Sequence, residues 1–282
     1  MAPPAIHARQ DATTTTVKGL SQPTPWRTAW ITGASTGIGR EVALLLARRG
    51  VRVAVSARST DGLAQLATMD QRLVPFPLDV TDAAAVRTTV ARIHKAFGAL
   101  DLVILNAGVW DPMGARDFGT ERATHSMAVN YTGITNAIEP PLPLLVTQGR
   151  GQLALVASVA GYRGLPSAAA YAPTKAAVIA LAEALKAELK MAGISVSVVN
   201  PGFVETPMTI VNHFPMPFLM SAPDAAARIL RGLERKKFEI AFPWPLVNSM
   251  KAMRILPYGV FFWLIDKFVL RKTTAPKSSV DT

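Results

Sequence analysis

Residues 32–39 read Thr-Gly-Ala-Ser-Thr-Gly-Ile-Gly, and this stretch decides the fold. An apolar run at 27–31 leads into it, and residues 41–49 follow with the apolar spacing of a helix that Gly50 ends. A strand, a glycine-rich turn and a helix form a cradle for phosphate, because glycines let the backbone approach an anion and the helix N-terminus presents free N–H groups. The glycine spacing is G-x3-G-x-G rather than G-x-G-x-x-G. The stretch predicts a dinucleotide site, although glycines also form ordinary tight turns.

Outward from this stretch, apolar runs that suit buried strands alternate with segments of helical spacing. Further strands are predicted at residues 51–56, 73–78, 100–105, 151–157 and 194–199, and residues 240–245 predict the last strand and its exit. Helices are predicted at residues 63–69, 83–97, 122–138, 172–191 and 225–233. The alternation predicts an α/β fold, a Rossmann-type doubly wound parallel sheet with helices on both faces. We expect a single domain over 26–245, a disordered N-terminal tail over 1–25, and a C-terminal amphipathic extension and tail over 246–282.

Composition excludes several kinds of site. The chain has 282 residues, half of them hydrophobic, and no cysteine, which excludes disulfides, thiolate catalysis and cysteine-bound zinc. Its four histidines are scattered, so no metal site is predicted. The net charge is +11, and residues 228–282 hold 11 Lys/Arg against 4 Asp/Glu. This basic excess suits an anionic membrane surface, nucleic acid or a solvated tail, but no recognition helix or stacking platform supports nucleic acid.

The N-terminal segment shows no secretory signal. Its first 25 residues are rich in Ala, Thr and Pro and lack the apolar segment of a secretory signal. Four consecutive threonines, Thr13 to Thr16, weakly suggest a transit peptide, and a disordered tail is the favoured interpretation. No apolar run approaches the roughly 18–20 residues needed to cross a bilayer. We therefore expect a cytoplasmic protein, with peripheral attachment to a membrane as an open alternative.

The end of the second predicted strand reads Ser56-Ala57-Arg58. In dinucleotide-binding folds an acidic residue there accepts from the ribose 2′-OH of NAD, whereas an arginine accommodates the 2′-phosphate of NADP. No carboxylate is present in this segment, and the guanidinium of Arg58 can contact a phosphate through two N–H groups. The segment favours NADP(H) over NAD(H), the alternative being that Arg58 is an ordinary surface residue.

Six motifs follow one another in an order that is typical of one family. They are Thr32 to Gly39, Asn106-Ala-Gly108, Asn130, Ser158, Tyr171-Ala-Pro-Thr-Lys175 and Pro201-Gly202. Over residues 26–210 the chain resembles the single-domain branch of the short-chain dehydrogenase/reductase family. Tyr-x3-Lys alone is a weak signal, and the further motifs at compatible spacing make the resemblance specific. It implies an oxidoreductase that transfers a hydride between a nicotinamide cofactor and a small molecule.

The resemblance also implies which residues hold the cofactor. The pyrophosphate and ribose would lie against Gly33, Ser35, Gly37, Ile38 and Gly39. The adenine would contact Asp79 and Val80, and the floor after the fourth strand would consist of Asn106, Ala107 and Gly108. The nicotinamide half would contact Pro201, Gly202, Val204 and Thr206, with Tyr171 and Lys175 beside its ribose.

A second group of residues is predicted to carry the chemistry. Reduction of a carbonyl needs an acid for the developing alkoxide and a donor that orients the oxygen. Tyr171 is the candidate acid/base, and Lys175 at i+4 lies on the same helical face, where its charge would lower a tyrosine pKa that is ordinarily about 10. The hydroxyl of Ser158 would orient the substrate oxygen, and by the resemblance Asn130 would anchor a water that relays protons to the lysine. Capping or packing is the alternative role for each residue.

Two segments are candidates for the substrate pocket. Residues 110–114, Trp-Asp-Pro-Met-Gly, predict a loop beside the substrate. Residues 208–220 are apolar and contain two phenylalanines, so they predict a mobile lid over an apolar substrate, with ordinary core as the alternative.

The leading interpretation is an NADP(H)-dependent oxidoreductase that interconverts a carbonyl and an alcohol and forms a homo-dimer or homo-tetramer. A non-catalytic NADP(H)-binding sensor or scaffold protein is the alternative.

The C-terminal extension combines aromatic residues with basic flanks. Residues 260–265 read Val-Phe-Phe-Trp-Leu-Ile, and Lys251, Arg254 and Lys267 flank them. Such a pattern suits an interfacial membrane helix, a subunit interface or packing against the chain's own core. Hydrophobic spacing does not separate these alternatives. Residues 246–272 therefore stay open between a membrane surface, a partner subunit and the domain itself.

Overall fold

The computed structural model describes residues 24–212 and 214–270. Most of the predicted N-terminal tail and the end of the predicted C-terminal tail lie outside the described residues. The described chain forms one parallel sheet with apolar layers on both of its faces. The predicted α/β fold, a doubly wound parallel sheet in a single domain, is confirmed.

The sheet places the glycine-rich stretch at a crevice. Its strands are β1 (Thr28–Thr32), β2 (Arg52–Ser56), β3 (Leu73–Pro75), β4 (Leu102–Leu105), β5 (Gly151–Val156), β6 (Ile194–Pro201) and β7 (Glu239–Phe242). Their order across the sheet is β3-β2-β1-β4-β5-β6-β7. The chain runs outward from β1 to β3 and then returns to the other side of β1, so the carboxyl ends of β1 and β4 border a crevice where such sheets bind ligands.

Helices cover both faces of the sheet. They are α1 (Gly37–Arg48), α2 (Thr60–Ala67), α3 (Ala83–Phe97), α4 (Thr120–Met127), α5 (Gly133–Ile138), α6 (Pro141–Gln148), α7 (Ala172–Met191), α8 (Ala222–Glu234), α9 (Trp244–Ile255) and α10 (Tyr258–Ile265). Adjacent residues of β1 point to opposite faces: Trp30 joins the layer with α3, α5 and α7, and Ile31 joins the layer with α1, α2 and α8. Burial on both faces accounts for the uninterrupted apolar strands.

The third strand is shorter than the predicted 73–78. β3 ends at Pro75, and Pro77 follows, because proline has no N–H for the ladder. The N–H groups of Phe76 and Leu78 still donate to carbonyls of the β2 segment, at 2.9 and 3.0 Å. The chain therefore continues along β2 beyond the end of the regular strand.

The predicted helix at 122–138 is interrupted. α4 ends and a π-helical turn occupies Ala128–Thr132 before α5 begins. The turn holds Asn130, which is fully buried. Single π-helical turns inside helices are frequent at functional sites, and this one distinguishes the segment from the regular helix that the apolar spacing predicts.

Two helices begin next to prolines. Helix α6 begins after Pro140 with Pro141 in its first turn, where the missing N–H costs little. The segment predicted as the last strand and its exit, 240–245, contains the end of β7 at Phe242 and the start of α9 at Trp244. In both places a proline lies at the start of a helix.

The C-terminal extension packs partly against the domain. Val247 and Met250 of α9 are buried in the same apolar layer as α7, so this packing continues past residue 245. On α10, Phe261 and Ile265 are 3% and 6% exposed. Packing against the chain's own core, one of the three alternatives, therefore holds for α9, and the inner side of α10 is buried. The outer side of α10 is exposed.

Candidate active site

The glycine-rich turn lies directly against the end of β4. Gly33 has φ +67°, and a Cβ there would lie 2.7 Å from Ala107 Cα. A Cβ on Gly39 would lie 2.4 Å from the Gly33 carbonyl oxygen. Asn106 Nδ2 donates to the carbonyl oxygens of Thr32 and Gly33 at 3.2 and 3.0 Å. The turn has no space for side chains at these glycines, because its backbone packs on backbone.

A cleft of about 390 Å³ opens at the carboxyl ends of β1, β2 and β4. Its lining includes many of the predicted cofactor residues: Gly33, Ser35, Gly37, Ile38, Arg58, Asp79, Val80, Asn106, Ala107, Gly108 and Thr206. The structure thus brings together, in one cleft, residues from five segments of the sequence.

Other residues of the cleft were not among the predicted cofactor contacts. They are Thr36, Ser56, Ala57, Ser59, Leu78, Val109, Val129, Pro207 and Met208. Each lies within two positions of a predicted residue, so adjacency to a motif is the signal that could have found them. The motifs predict the backbone path correctly, and side-chain direction decides which neighbours face the cleft.

The predicted nicotinamide segment follows β6 and returns toward the glycine turn. A Cβ on Gly202 would lie 2.6 Å from Leu246 Cδ2, so this glycine packs on α9. Val204 is buried. Thr206 Cγ2 lies 3.0 Å from the position of a Cβ on Gly37, which places Thr206 at the turn. Of this segment, Thr206 lines the cleft, whereas Pro201, Gly202 and Val204 are not among its lining residues.

Two charged side chains lie at one end of the cleft. Asp79 Oδ1 accepts hydrogen bonds from the N–H and hydroxyl of Thr81, at 2.9 and 2.8 Å. The Thr81 N–H lowers the pKa of Asp79, and the positive charge of Arg58 lowers it further. Arg58 is exposed and forms no hydrogen bond or ion pair with the residues that the structure describes. Its guanidinium therefore presents its N–H donors to solvent at the cleft.

The start of α7 brings Tyr171 and Lys175 together. The helix begins directly after Tyr171, with Pro173 in its first turn. Lys175 Nζ lies 5.5 Å from the centroid of the Tyr171 ring. The lysine is buried and donates to the carbonyl oxygen of Val156 at 2.9 Å. A Cβ on Gly108 would lie 3.5 Å from Lys175 Nζ, which places the ammonium beside the cleft.

Burial favours the neutral form of both residues. It raises the pKa of Tyr171 to about 12, and a hydrogen bond with Ser158 opposes this shift only in part. Burial also lowers the pKa of Lys175 to about 8. Burial thus shifts the pKa of Tyr171 upward in the chain by itself, and the lowering of that pKa by Lys175 stays a prediction.

Ser158 faces Tyr171 from the end of β5. Its hydroxyl lies near enough to the phenol to lower the pKa of Tyr171 against the effect of burial, and it accepts from the N–H of Ala160 at 3.1 Å. The same hydroxyl lies 3.4 Å from the Pro201 carbonyl oxygen. Contacts with backbone on two sides hold the hydroxyl in place next to the phenol.

Asn130 ties three elements together. Its Oδ1 accepts from the N–H of Val109 at 2.7 Å, and its Nδ2 donates to the Val109 carbonyl oxygen at 3.0 Å and to Thr174 Oγ1 at 3.1 Å. These bonds join the π-helical turn to the loop after β4 and to α7. The side chain braces the loop beside Gly108, and the proton relay that the resemblance implies stays a prediction.

Trp110 covers one side of Tyr171. The two rings meet edge to face, with centroids 4.9 Å apart. Trp110 Nε1 donates to Asn212 Oδ1 at 2.8 Å, which connects the loop after β4 to the segment after β6. Arg122 holds the same loop by donating from Nε to Asp111 Oδ2 at 2.7 Å and from Nη2 to Asp111 Oδ1. The predicted loop at 110–114 therefore borders the tyrosine.

The apolar segment at 208–220 is largely exposed. Met208, Ile210, Phe218 and Leu219 are 39%, 77%, 55% and 47% exposed. The alternative for this segment, that its side chains belong to the hydrophobic core, is wrong for these four residues. The segment follows Thr206 and Pro207 of the cleft, and its role as a lid stays a prediction.

Comparisons with known proteins agree on the family. The sequence model of the short chain dehydrogenase family matches residues 27–213. An uncharacterized oxidoreductase of Myxococcus xanthus is 39% identical over 240 residues, which is 84% of this chain and 95% of that protein. An uncharacterized oxidoreductase of Mycobacterium tuberculosis is 35% identical over 238 residues, which is 80% of this chain and 92% of that protein.

A solved structure has the same fold. The crystal structure of a short-chain dehydrogenase from Streptomyces avermitilis superposes with a TM-score of 0.73 at 22% sequence identity, over 89% of this chain and 99% of that one. Fold, motif order and sequence similarity agree with one another over the part of the chain that contains the cleft and the Tyr171 site. The chain therefore belongs to the short-chain dehydrogenase/reductase family and is an oxidoreductase.

Proposed function

We propose that this oxidoreductase interconverts an apolar carbonyl compound and its alcohol with NADP(H), and that Tyr171 is its acid/base. One observation carries the proposal: Ser158, Tyr171 and Lys175 converge beside the cleft that the glycine turn borders. The Ser158 hydroxyl acts on the pKa of the Tyr171 phenol from close by, and Lys175 Nζ lies 5.5 Å from the Tyr171 ring centroid. An acid, an orienting hydroxyl and a cation are the groups that carbonyl reduction needs.

The residues of the cleft fit a dinucleotide. Gly33 and Gly37 line the cleft without a side chain, so the backbone of the turn is open there to a pyrophosphate. Helix α1 begins at Gly37, and both Gly37 and Ile38 line the cleft, which places the first N–H groups of the helix there. The carboxylate of Asp79 would accept from the adenine amino group. The bound cofactor would supply or accept the hydride.

Arg58 is the basis for proposing NADP(H) rather than NAD(H). This end of the cleft is lined by Ser56, Ala57, Arg58 and Ser59, none of which is acidic. The nearby Asp79 carboxylate is already bonded to Thr81. An exposed guanidinium without an acidic neighbour in the same segment would attract a 2′-phosphate through two charged hydrogen bonds.

The protein's own groups would divide the proton chemistry among them. With a pKa of about 12, Tyr171 is protonated near neutral pH, which suits a proton donor in the reducing direction. Its hydroxyl would donate the proton to the carbonyl oxygen, while the Ser158 hydroxyl donates a hydrogen bond to the same oxygen and orients it. The charged form of Lys175 would then stabilise the phenolate.

An apolar substrate fits the groups around Tyr171. The Trp110 ring covers one side of the phenol at a centroid distance of 4.9 Å. The segment after β6 adds Met208, which lines the cleft, and the exposed Ile210. Aromatic, methionine and aliphatic side chains adapt to apolar ligands and offer few groups that would bond a polar one.

A turnover screen tests the proposed reaction. Purified protein is incubated with NADPH and a panel of aliphatic, cyclic and aromatic ketones and aldehydes, and NADPH oxidation is followed by absorbance. We expect turnover whose kcat/KM rises with the apolar area of the substrate. Tight NADPH binding with no turnover on any member of the panel would contradict the reaction and support a sensor or scaffold protein instead.

The Arg58→Ala variant tests the cofactor preference. Loss of charged hydrogen bonds worth about 1.5–3 kcal/mol should reduce the preference for NADPH over NADH by about ten- to a hundredfold. The measurement is kcat/KM for each cofactor with one substrate. Arg228→Ala, which removes an exposed arginine from α8, is the matched control and should leave the preference unchanged. An unchanged preference in Arg58→Ala would contradict the choice of NADP(H).

A further inference from the structure

The outer side of α10 carries a solvent-exposed aromatic surface. Tyr258, Phe262 and Trp263 are 71%, 59% and 57% exposed. Val260 is 46% exposed, and Phe268 in the next π-helical turn is 51% exposed. We call these five residues the aromatic face. Soluble monomers seldom expose so many neighbouring large apolar side chains, and a surface of this kind marks a site of interaction.

The domain beneath holds the aromatic face in place. Phe261 and Ile265, on the inner side of α10, are buried. The guanidinium of Arg163 lies 4.7 Å from the Tyr258 ring centroid and 4.4 Å from that of Phe261. Arg163 Nη1 also donates to the Arg254 carbonyl oxygen at 2.7 Å. The face is therefore presented by an element that is fixed to the loop after Ser158.

Basic residues accompany the aromatic face. Between residues 251 and 272 the sequence has five basic residues and one acidic residue, Asp266. Lys251 is paired with Glu239, whereas Arg254 and Lys267 are exposed. Lys267 Nζ lies 4.9 Å from the Trp263 ring centroid and 5.5 Å from that of Phe268, so a positive charge stands within the face.

We propose that the aromatic face docks on an anionic lipid bilayer. Aromatic side chains with basic neighbours fit the boundary between acyl chains and anionic headgroups. A symmetric contact with a second copy fits less well, because it would bring the same basic excess together from both sides. α10 spans about 12 Å, and no helix among the described residues is long and apolar enough to cross a membrane. The helix would therefore lie at the bilayer surface.

Cosedimentation of the full-length protein with vesicles tests the apolar part of the proposal. We expect binding to vesicles of phosphatidylcholine with phosphatidylglycerol. The double variant Phe262→Ala/Trp263→Ala should bind them about tenfold or more weakly, because two side chains lose their burial. The matched control is Phe118→Ala/Met191→Ala, which removes two side chains that are 61% and 92% exposed elsewhere and should bind as the parent does.

A charge-neutralising pair tests the electrostatic part. The variant Arg254→Gln/Lys267→Gln should weaken binding to the anionic vesicles by about fivefold for each charge removed. Arg228→Gln/Arg231→Gln in α8 removes the same charge elsewhere and is the control. Binding should fall at high salt, since exposed charges are screened, and vesicles of phosphatidylcholine alone should bind weakly at any salt concentration.

Three results would overturn the proposal: equal binding to both kinds of vesicle, full binding by Phe262→Ala/Trp263→Ala, or no binding by the parent protein. Gel filtration of the same proteins identifies the competing occupant, because conversion of a dimer to a monomer by the Phe262/Trp263 variant, without vesicle binding by the parent, would assign the face to a subunit interface. The expected homo-dimer or homo-tetramer stays a prediction that the same measurement tests. Thermal melting of each variant verifies its fold.

Discussion

The region around the glycine turn buries polar side chains, whereas the region beyond Thr206 exposes apolar ones. Both differ from the usual pattern, in which polar side chains are exposed and large apolar ones are buried. In the first region Lys175 and Asn130 are polar and buried, at 3% and 0% exposed, and each is hydrogen-bonded. In the second region Ile210 and Trp263 are apolar and 77% and 57% exposed. Buried polar groups held by bonds suit chemistry on a small polar centre, whereas exposed apolar groups suit an apolar partner. We therefore expect the first region to act on a small polar group and the second region to contact an apolar partner.

The largest expected effect is on kcat, when a tyrosine is replaced by phenylalanine in each of the two regions. Tyr171→Phe should lower kcat by about a thousandfold or more, because the proton donor is lost. NADPH affinity should change by less than about twofold, as the phenol hydroxyl is a minor part of cofactor binding. Tyr258→Phe removes the same hydroxyl from an exposed tyrosine of α10 and should leave kcat unchanged.

Steady-state turnover and NADPH fluorescence titration measure the two quantities separately. A Tyr171→Phe protein whose kcat is within tenfold of the parent's would remove Tyr171 as the acid. Loss of NADPH binding in the same variant would instead show that the substitution disturbs the cleft, and the comparison of regions would then concern structure rather than chemistry.

Adding a methyl group to a glycine should lower the free energy of unfolding in the first region and raise it in the second. Gly33→Ala would place a side chain at φ +67° and 2.7 Å from the backbone of Ala107, so we expect a loss of about 2–4 kcal/mol in the free energy of unfolding. Gly259→Ala meets no atom within 4 Å and lies in α10. The free energy of unfolding of Gly259→Ala should therefore rise by about 0.5–1 kcal/mol. Urea unfolding of both variants measures this, and a stable Gly33→Ala protein would show that the turn yields.

Lys175, in the first region, should make the free energy of unfolding depend on pH. Its pKa is about 8 in the folded chain against 10.5 for an ordinary lysine, so between these values the unfolded chain binds more protons and stability rises with pH. At about 1.4 kcal/mol per pKa unit, the rise from pH 8 to 10 is about 2–3 kcal/mol. Above pH 10 the raised pKa of Tyr171 acts in the opposite direction, because the unfolded tyrosine loses its proton first.

Urea unfolding at several pH values between 7 and 10 tests this expectation. Lys175→Met should abolish most of the rise, whereas Lys267→Met, which removes an exposed lysine from the second region, should retain it. An equal rise in all three proteins would mean that Lys175 titrates normally and that its burial is compensated.

The sequence predicts best the features that local constraints determine. The bounds of α3 and α7 match the predicted 83–97 and 172–191, because apolar spacing and a terminal glycine mark them. The glycine turn is predictable as well, since a backbone with positive φ and no room for Cβ leaves a signature in residue type. Arg58 follows from its position at a strand end and Asp79 from the family resemblance, and the fold brings both to the cleft.

The rest depends on contacts between distant residues. The π-helical turn at Ala128–Thr132 is a change in hydrogen-bond pattern that no residue type marks. The raised pKa of Tyr171 comes from burial by other segments, which the i+4 spacing to Lys175 does not reveal. The bond between Trp110 and Asn212 joins residues separated by 102 positions. Exposure of the aromatic face depends likewise on what the fold leaves uncovered.

The smallest expected effect concerns the bond that connects the two regions. Trp110 contacts Tyr171 in the first region and donates to Asn212 in the second. Asn212→Ala removes the acceptor, and loss of one neutral hydrogen bond is worth about 1 kcal/mol. We expect KM for an apolar carbonyl substrate to rise about fivefold, with kcat within about twofold and NADPH binding unchanged, because the tryptophan would position substrate without taking part in proton transfer.

Asn212→Asp is the matched control for this contact. It keeps an acceptor oxygen for the indole N–H but loses the amide that donates to Met216 Sδ at 3.3 Å. If the bond to Trp110 matters, Asn212→Asp should retain the parent's KM while Asn212→Ala does not. Equal increases in KM would assign the effect to the Met216 side of the segment. A lower kcat in Asn212→Ala with unchanged KM would mean that the Trp110 contact acts on Tyr171 itself, and the two regions would then share one catalytic unit.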